Sequence, residues 1–360
     1  VPRLLVFLIL SADLLPAAGD GCAVLREAKE STYGFSPSSL STLEKTAKII
    51  GLDRFWKLAK ADPKQSSGCL LAMLEKERTD SFFLFDGSQL LFTLDKSTQA
   101  AEAIAGALAK VDLNDVKPYD YAALAIDVSK AGARISSAAM NFVSARHVDE
   151  YEPGNGVLMN RERGVAALFG RLPVEEAVVK GKALYESGDS ATAPYGLLIL
   201  ALALTPDAMA IVNQAGDISG LPAPIRRQIS SLISRTSPRA QVASTYNRKQ
   251  LQAILKSAPN YRGGFPGPSG NEEFLTSAFS ELQPEDAPLV REARRQSIVD
   301  PSAASLLQYY AYTHILLVMQ TKAGIFVEPA PPVASSEPVK APTVKKKRSP
   351  SRHKTRKGRK

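Results

Sequence analysis

The sequence predicts a mainly α-helical protein. Many short helices, packed either as stacked pairs or as an irregular bundle, are accompanied by one small β-hairpin near residues 82–94 and a disordered C-terminal tail. Three observations carry that expectation. Helix start and stop signals recur roughly every 12 to 20 residues. Between them, apolar residues return at three- and four-residue spacing, which places them on one face of a helix. Apolar residues make up 44% of the 360 and charged residues 22%, proportions that let most of the chain bury a core.

At the N-terminus, Arg3 precedes the apolar run Leu4–Leu10, and Leu14–Leu15–Pro16–Ala17–Ala18–Gly19 follows with a helix breaker and small residues. A basic start, an apolar stretch and a small-residue cleavage site predict a secretory signal peptide over 1–19. The run is shorter than the roughly 20 residues of a membrane span. Cys22 and Cys69 are the two cysteines of the chain, and in an exported protein they are expected to pair. Neither they nor the three histidines show zinc-ligand spacing.

The region 20–118 is expected to be helical around a hairpin. Ser41–Thr42–Leu43–Glu44 is a capping-box pattern, and its helix is expected to close at Gly51. Leu52, Phe55, Trp56 and Ala59 predict a second helix up to Asp62–Pro63, and a third begins near Cys69. Phe82–Phe83–Leu84–Phe85 and Leu90–Leu91–Phe92–Thr93–Leu94 flank Asp86–Gly87–Ser88, which reads as two strands joined at an Asp–Gly turn.

Helices are then predicted over 97–110, 119–131, 136–146, 161–170, 173–187, 194–204, 207–214, 222–234 and 248–257. The central region 119–260 has the look of a helical repeat. Segments 161–187 and 194–234 resemble HEAT-type repeats in rhythm alone, with no repeated motif. The Gly/Pro-rich stretch 261–270 lacks the Lys–Ser/Thr ending of a nucleotide-binding loop and is expected to be a surface loop. Within 271–327, helices are predicted over 271–282 from an Asn271 cap, over 285–297, and over 301–322 after Asp300–Pro301. The last is apolar on several faces, as a helix surrounded by neighbours should be.

Composition changes after Val327. Residues 328–344 form a Pro/Ala-rich linker, and 345–360 a basic arm expected to be disordered by its own repulsion. Lys345, Lys346, Lys347, Arg348, Arg352, Lys354, Arg356, Lys357, Arg359 and Lys360 face no acid there. The chain's +9 less those ten charges leaves −1 on everything else, so long-range attraction to polyanions belongs to the arm. No aromatic residue interleaves the cations, so base stacking is not offered.

No catalytic residue, metal site or cofactor is assigned. Gly188–Asp189–Ser190 has no hydrolase partner motif, His314 reads as a core histidine, and the polar run Arg146–Glu152 reads as an exposed loop. The sequence therefore predicts an exported, non-catalytic helical scaffold or binding protein, periplasmic or extracellular. Its helical surfaces would meet another protein, and its arm would tether it loosely to an anionic polymer or lipid surface. Two other readings stand beside it. One is an envelope hydrolase acting on polysaccharide through carboxylates at Asp149–Glu152 or at Glu272 and Glu273, alone or with a metal. The other is a cytoplasmic nucleic-acid-binding protein, if the first nineteen residues are not a signal.

Overall fold

Asp80 decides the local structure of one of the most apolar segments in the chain. In the computed structural model, which describes residues 21–33, 42–145, 150–151, 158–215, 245–257 and 268–324, the Asp80 carboxylate accepts the Phe83 amide at 3.0 Å and starts a helix over Ser81–Leu94. The expected hairpin at 82–94 is therefore a single helix. The Ser88 hydroxyl donates to the Leu84 carbonyl at 2.5 Å and the Thr93 hydroxyl to that of Gln89 at 2.8 Å. Asp86 and Gly87 lie inside the helix rather than at a turn. Asp86 accepts the Tyr33 hydroxyl at 3.3 Å. A Cβ on Gly87 would come within 3.3 Å of Leu74 and 3.2 Å of Phe83, so the glycine admits a neighbouring helix. A run apolar on every face reads as a strand pair or as a buried helix, and here helices surround it.

Among the described residues the first ten helices are α1 (Gly21–Tyr33), α2 (Thr42–Ala61), α3 (Pro63–Lys76), α4 (Ser81–Leu94), α5 (Thr98–Leu108), α6 (Pro118–Lys130), α7 (Ser136–Ser144), α8 (Arg161–Arg171), α9 (Val174–Glu186) and α10 (Ala193–Ala203). Then come α11 (Pro206–Gln214), α12 (Arg248–Ser257), α13 (Pro268–Glu281), a 3-10 turn at Pro284–Asp286, α14 (Ala287–Ser297) and α15 (Ala303–Lys322). Between α7 and α8, β1 (Glu150–Tyr151) pairs antiparallel with β2 (Leu158–Met159). Odd-numbered helices α1, α3, α5 and α7 touch in succession, and so do α2, α4, α6, α8 and α10.

Two further boundaries differ from expectation. Gly51 does not end a helix, because α2 runs through it. A Cβ there would meet the Thr32 hydroxyl at 2.9 Å, so the glycine lets α1 approach. The Gly/Pro stretch does not extend to residue 270, since α13 starts at Pro268, a residue suited to a first helical turn. The signal peptide, Ser41 of the capping box, the 222–234 helix, residues 258–267, the Pro/Ala-rich linker and the basic arm lie outside the described residues. All described elements belong to one unit spanning residues 1–326. No described helix is long and apolar enough to cross a membrane.

The N-terminal end of the core is fixed in three ways. Cys22 on α1 is bonded to Cys69 on α3, with Cα atoms 5.3 Å apart. The rings of Tyr33, Phe55 and Phe83 meet edge to face with centroids 5.4 to 6.2 Å apart. Glu77, just past α3, accepts the amides of Arg78, Thr79 and Asp80 on one carboxylate oxygen at 2.9, 3.1 and 3.3 Å, and the Lys29 ammonium on the other. Burial alone would raise the Glu77 pKa, but Lys29 and those amides hold it down at about 2.

A second apolar cluster lies at the other end of the chain. It joins Leu251 and Leu255 of α12, Phe274 and Ala278 of α13, Val290 and Ala293 of α14, and Tyr312 to Met319 of α15. Asp286 anchors it, accepting Arg248 at 2.9 Å and Gln252 at 2.7 Å. The first half of α15, through Leu306 and Tyr309, belongs instead to the larger cluster, so this helix runs through both cores.

Two outcomes test this architecture. Replacing Cys22 by serine should lower the unfolding free energy by about 4 kcal/mol, the loop-closure value for a span of this length. Urea denaturation measures it, and a loss below about 1 kcal/mol would mean the bridge constrains little. The Glu77 carboxyl titrates near its ordinary value of ~4.3 when unfolded and at about 2 when folded. Its contribution, on the order of 2–3 kcal/mol, is full above about pH 5 and is lost as pH falls toward 2. Unfolding free energy measured from pH 5 to 2.5 should fall more steeply in the natural protein than in Glu77→Gln.

Candidate functional site

Helix α8 is buried along almost its whole length, although charged residues stand at both of its ends. Asn160 starts it by accepting the Arg163 amide at 2.9 Å. Glu162, Arg163 and Arg171 are all buried, so their polar groups need partners inside the protein. Arg163 donates through Nε to the Pro301 carbonyl at 2.8 Å. Arg171 donates to the Ser129 hydroxyl at 2.9 Å and to the Arg295 carbonyl at 3.0 Å. Both contacts hold the corner between α14 and α15 against α8. Gly170 makes that approach feasible: a Cβ there would sit 2.5 Å from Ile298 and 2.8 Å from the Tyr309 ring.

Helix α10 brings a second set of constraints. Every residue from Tyr195 to Ala203 is buried, and its C-terminal carbonyls have no helical partner. Leu204 leaves the helix in the left-handed region, at φ 53°. Arg294 donates to the Leu202 carbonyl at 2.7 Å, and Gln320 to that of Leu204 at 2.9 Å. A buried cation at a helix C-terminus is favoured by the local dipole. The Arg294 guanidinium also stacks 5.1 Å above the Tyr309 ring.

Where these helices meet, a groove of about 840 Å³ opens. Its floor is apolar, formed by Phe169, Leu172, Ile199, Leu202, Ala203 and Tyr309. Arg291, Arg294 and Arg295 of α14 line one side, with Glu292 between them and Glu175 of α9 also at the groove. Arg295 grips the Glu292 carboxylate at 3.0 and 2.7 Å, and this pairing holds Glu292 below the usual carboxylate range. Arg294 is occupied by Leu202. Arg291 is half-buried, and its pKa is lowered first by burial and then by the neighbouring Arg294 charge, partly offset by Glu175. Burial, followed by Arg295, likewise brings Arg171 down to about 10. Guanidinium groups remain charged at neutral pH and recognise carboxylates and phosphates through planar paired hydrogen bonds. An apolar floor beside such a group is suited to binding.

The structure distributes the sequence-predicted residues elsewhere. Cys22 and Cys69 lie in the α1–α4 part of the core. All ten cations of the arm lie outside the described residues, as do Asp149 and Glu152. Glu150 is placed in the β1–β2 ladder opposite Met159. Glu272 and Glu273 are on α13, and Glu273 is exposed. His314 is buried on α15. Among the described residues no three His, Cys, Asp or Glu side chains are placed to hold a metal ion. The arginines of α14 were not singled out from the sequence. The available signal was their spacing, since 291, 294 and 295 fall on one face of a helix.

Replacing Arg294 by methionine tests the junction. The substitution keeps much of the side chain's bulk and leaves the Leu202 carbonyl without its donor, so stability should fall by about 1–3 kcal/mol. Denaturant unfolding of that variant measures it, and an unchanged midpoint would show that water or another donor replaces the guanidinium.

No known protein family, curated protein or solved structure matches the chain.

Proposed function

We propose that this chain is an exported, non-catalytic helical binding protein with its binding site in the arginine-lined groove between α8, α9, α10 and α14. The observation that carries this reading is the pairing, in one concavity, of an apolar floor with a half-buried guanidinium, Arg291. Such a combination suits ligand capture: apolar surface supplies affinity and a few placed polar groups supply orientation. In this reading the helices form stacked pairs, the solenoid-like alternative, supported by the successive contacts within the odd-numbered and even-numbered rows. Their outward faces would meet another protein. On α9, Val179 is exposed at 65%, and on α15 Leu307 at 67%.

Export is supported by the Cys22–Cys69 bond, since such bonds persist chiefly in oxidising compartments, and by the basic, apolar and small-residue succession at 1–19. The basic arm, Lys345–Lys360, would hold the protein to anionic polymer or lipid through counterion release. A truncation ending at residue 327 tests the tether. The shortened protein should keep cooperative unfolding and lose salt-sensitive retention on a heparin or phosphatidylglycerol matrix. Retention that survives truncation would remove the arm from this role. Tight retention on DNA alone would favour the nucleic-acid reading.

A further inference from the structure

We propose that the groove's ligand is a small amphiphile with a single carboxylate head and an apolar chain, of the fatty-acid class. This inference rests on the groove being the binding site. Its argument begins with which charges are already committed. Arg295 is paired with Glu292 through two hydrogen bonds, and Arg294 donates to Leu202 and stacks on Tyr309. Arg291 makes no side-chain hydrogen bond among the described residues, and burial and the adjacent Arg294 charge act on it with only partial offset from Glu175. A ligand anion beside Arg291 would relieve both effects at once. A guanidinium without a hydrogen-bond partner among the described residues, its charge only partly offset by Glu175, suits one further negative charge.

The surrounding groups narrow the class further. Glu175 and Glu292 border the same groove, so a dianionic phosphate would meet repulsion that a monoanion meets less. A polyanion such as nucleic acid draws its affinity from many free cations, and the groove supplies one. The rest of the lining is mostly apolar, with Phe169, Leu172, Ile199 and Leu202 close to where a chain would lie beyond the head. The volume of about 840 Å³ falls within the roughly 300–1,000 Å³ typical of small-molecule sites.

The full-length protein is titrated by calorimetry at high ionic strength, where the basic arm is screened, with dodecanoate, decanoate, dodecanol and dodecyl phosphate below their micelle concentrations. Dodecanoate should bind one-to-one and roughly fifteenfold more tightly than decanoate, since each of its two extra buried methylenes contributes about fourfold. Arg291→Gln should weaken dodecanoate by about tenfold or more and leave dodecanol unchanged. Val174→Trp, a substitution at a half-buried groove residue, should reduce binding of both. If Val174→Trp blocks both ligands but Arg291→Gln changes nothing, the groove stands and the carboxylate assignment falls. If both ligands bind and Val174→Trp affects neither, the groove itself is not the site. Absence of dodecanoate binding, or dodecyl phosphate binding more tightly than dodecanoate, would overturn the proposed ligand.

Discussion

The burial of α8 is the constraint on which the rest of the structure depends. A helix surrounded by neighbours must either be apolar throughout or provide internal partners for every polar group it carries. Helix α8 takes the second course only in part, since two enclosed nitrogens of Arg161 have no hydrogen-bond partner among the described residues. Its interior is small and apolar, from Gly164 to Phe169, while Arg163 and Arg171 reach beyond the helix to carbonyls of the α14–α15 region. Those two arginines and Gly170 set where the last two helices can lie. The groove follows from that placement, because α14 then lines the space beside α8, α9 and α10.

The arginines of this junction have divided roles. Arg163, Arg171 and Arg294 donate to backbone carbonyls at Pro301, Arg295 and Leu202. They complete a framework, and their charges are bound up with dipoles of the main chain. Arg295 completes an ion pair with Glu292. Arg291 differs from all four in having none of these commitments among the described residues. Being half-buried, it is screened less than a surface arginine would be. This asymmetry separates a residue available for recognition from residues that hold the helices in place, although all five belong to the same two elements.

Much of the fold was legible from punctuation. The helices expected over 97–110, 119–131, 161–170, 207–214 and 301–322 agree with those observed to within about two residues at each end, because capping bonds are local and belong to a few residue types. Segment 81–94 was misread because alternation is lost when a segment is apolar on all faces, and Asp86–Gly87 then looked like a turn. Only the neighbours, α3 above all, show that Gly87 is small to admit a side chain. The same applies to Gly51 and Thr32. The groove was illegible for a related reason. Its floor and its arginines are separated by more than 80 residues of sequence between Leu202 and Arg291, and no local signal states that α14 returns to α8.

Helix α14 faces two ways. Val290 and Ala293 are sunk in the smaller apolar cluster, while Arg291 and Arg294 look into a concavity whose floor belongs to the larger one. Any guest held between Arg291 and Phe169 therefore becomes a strut between two masses of packed side chains, bridged along their length by α15. Occupancy would then be felt as added cohesion between the ends of the molecule.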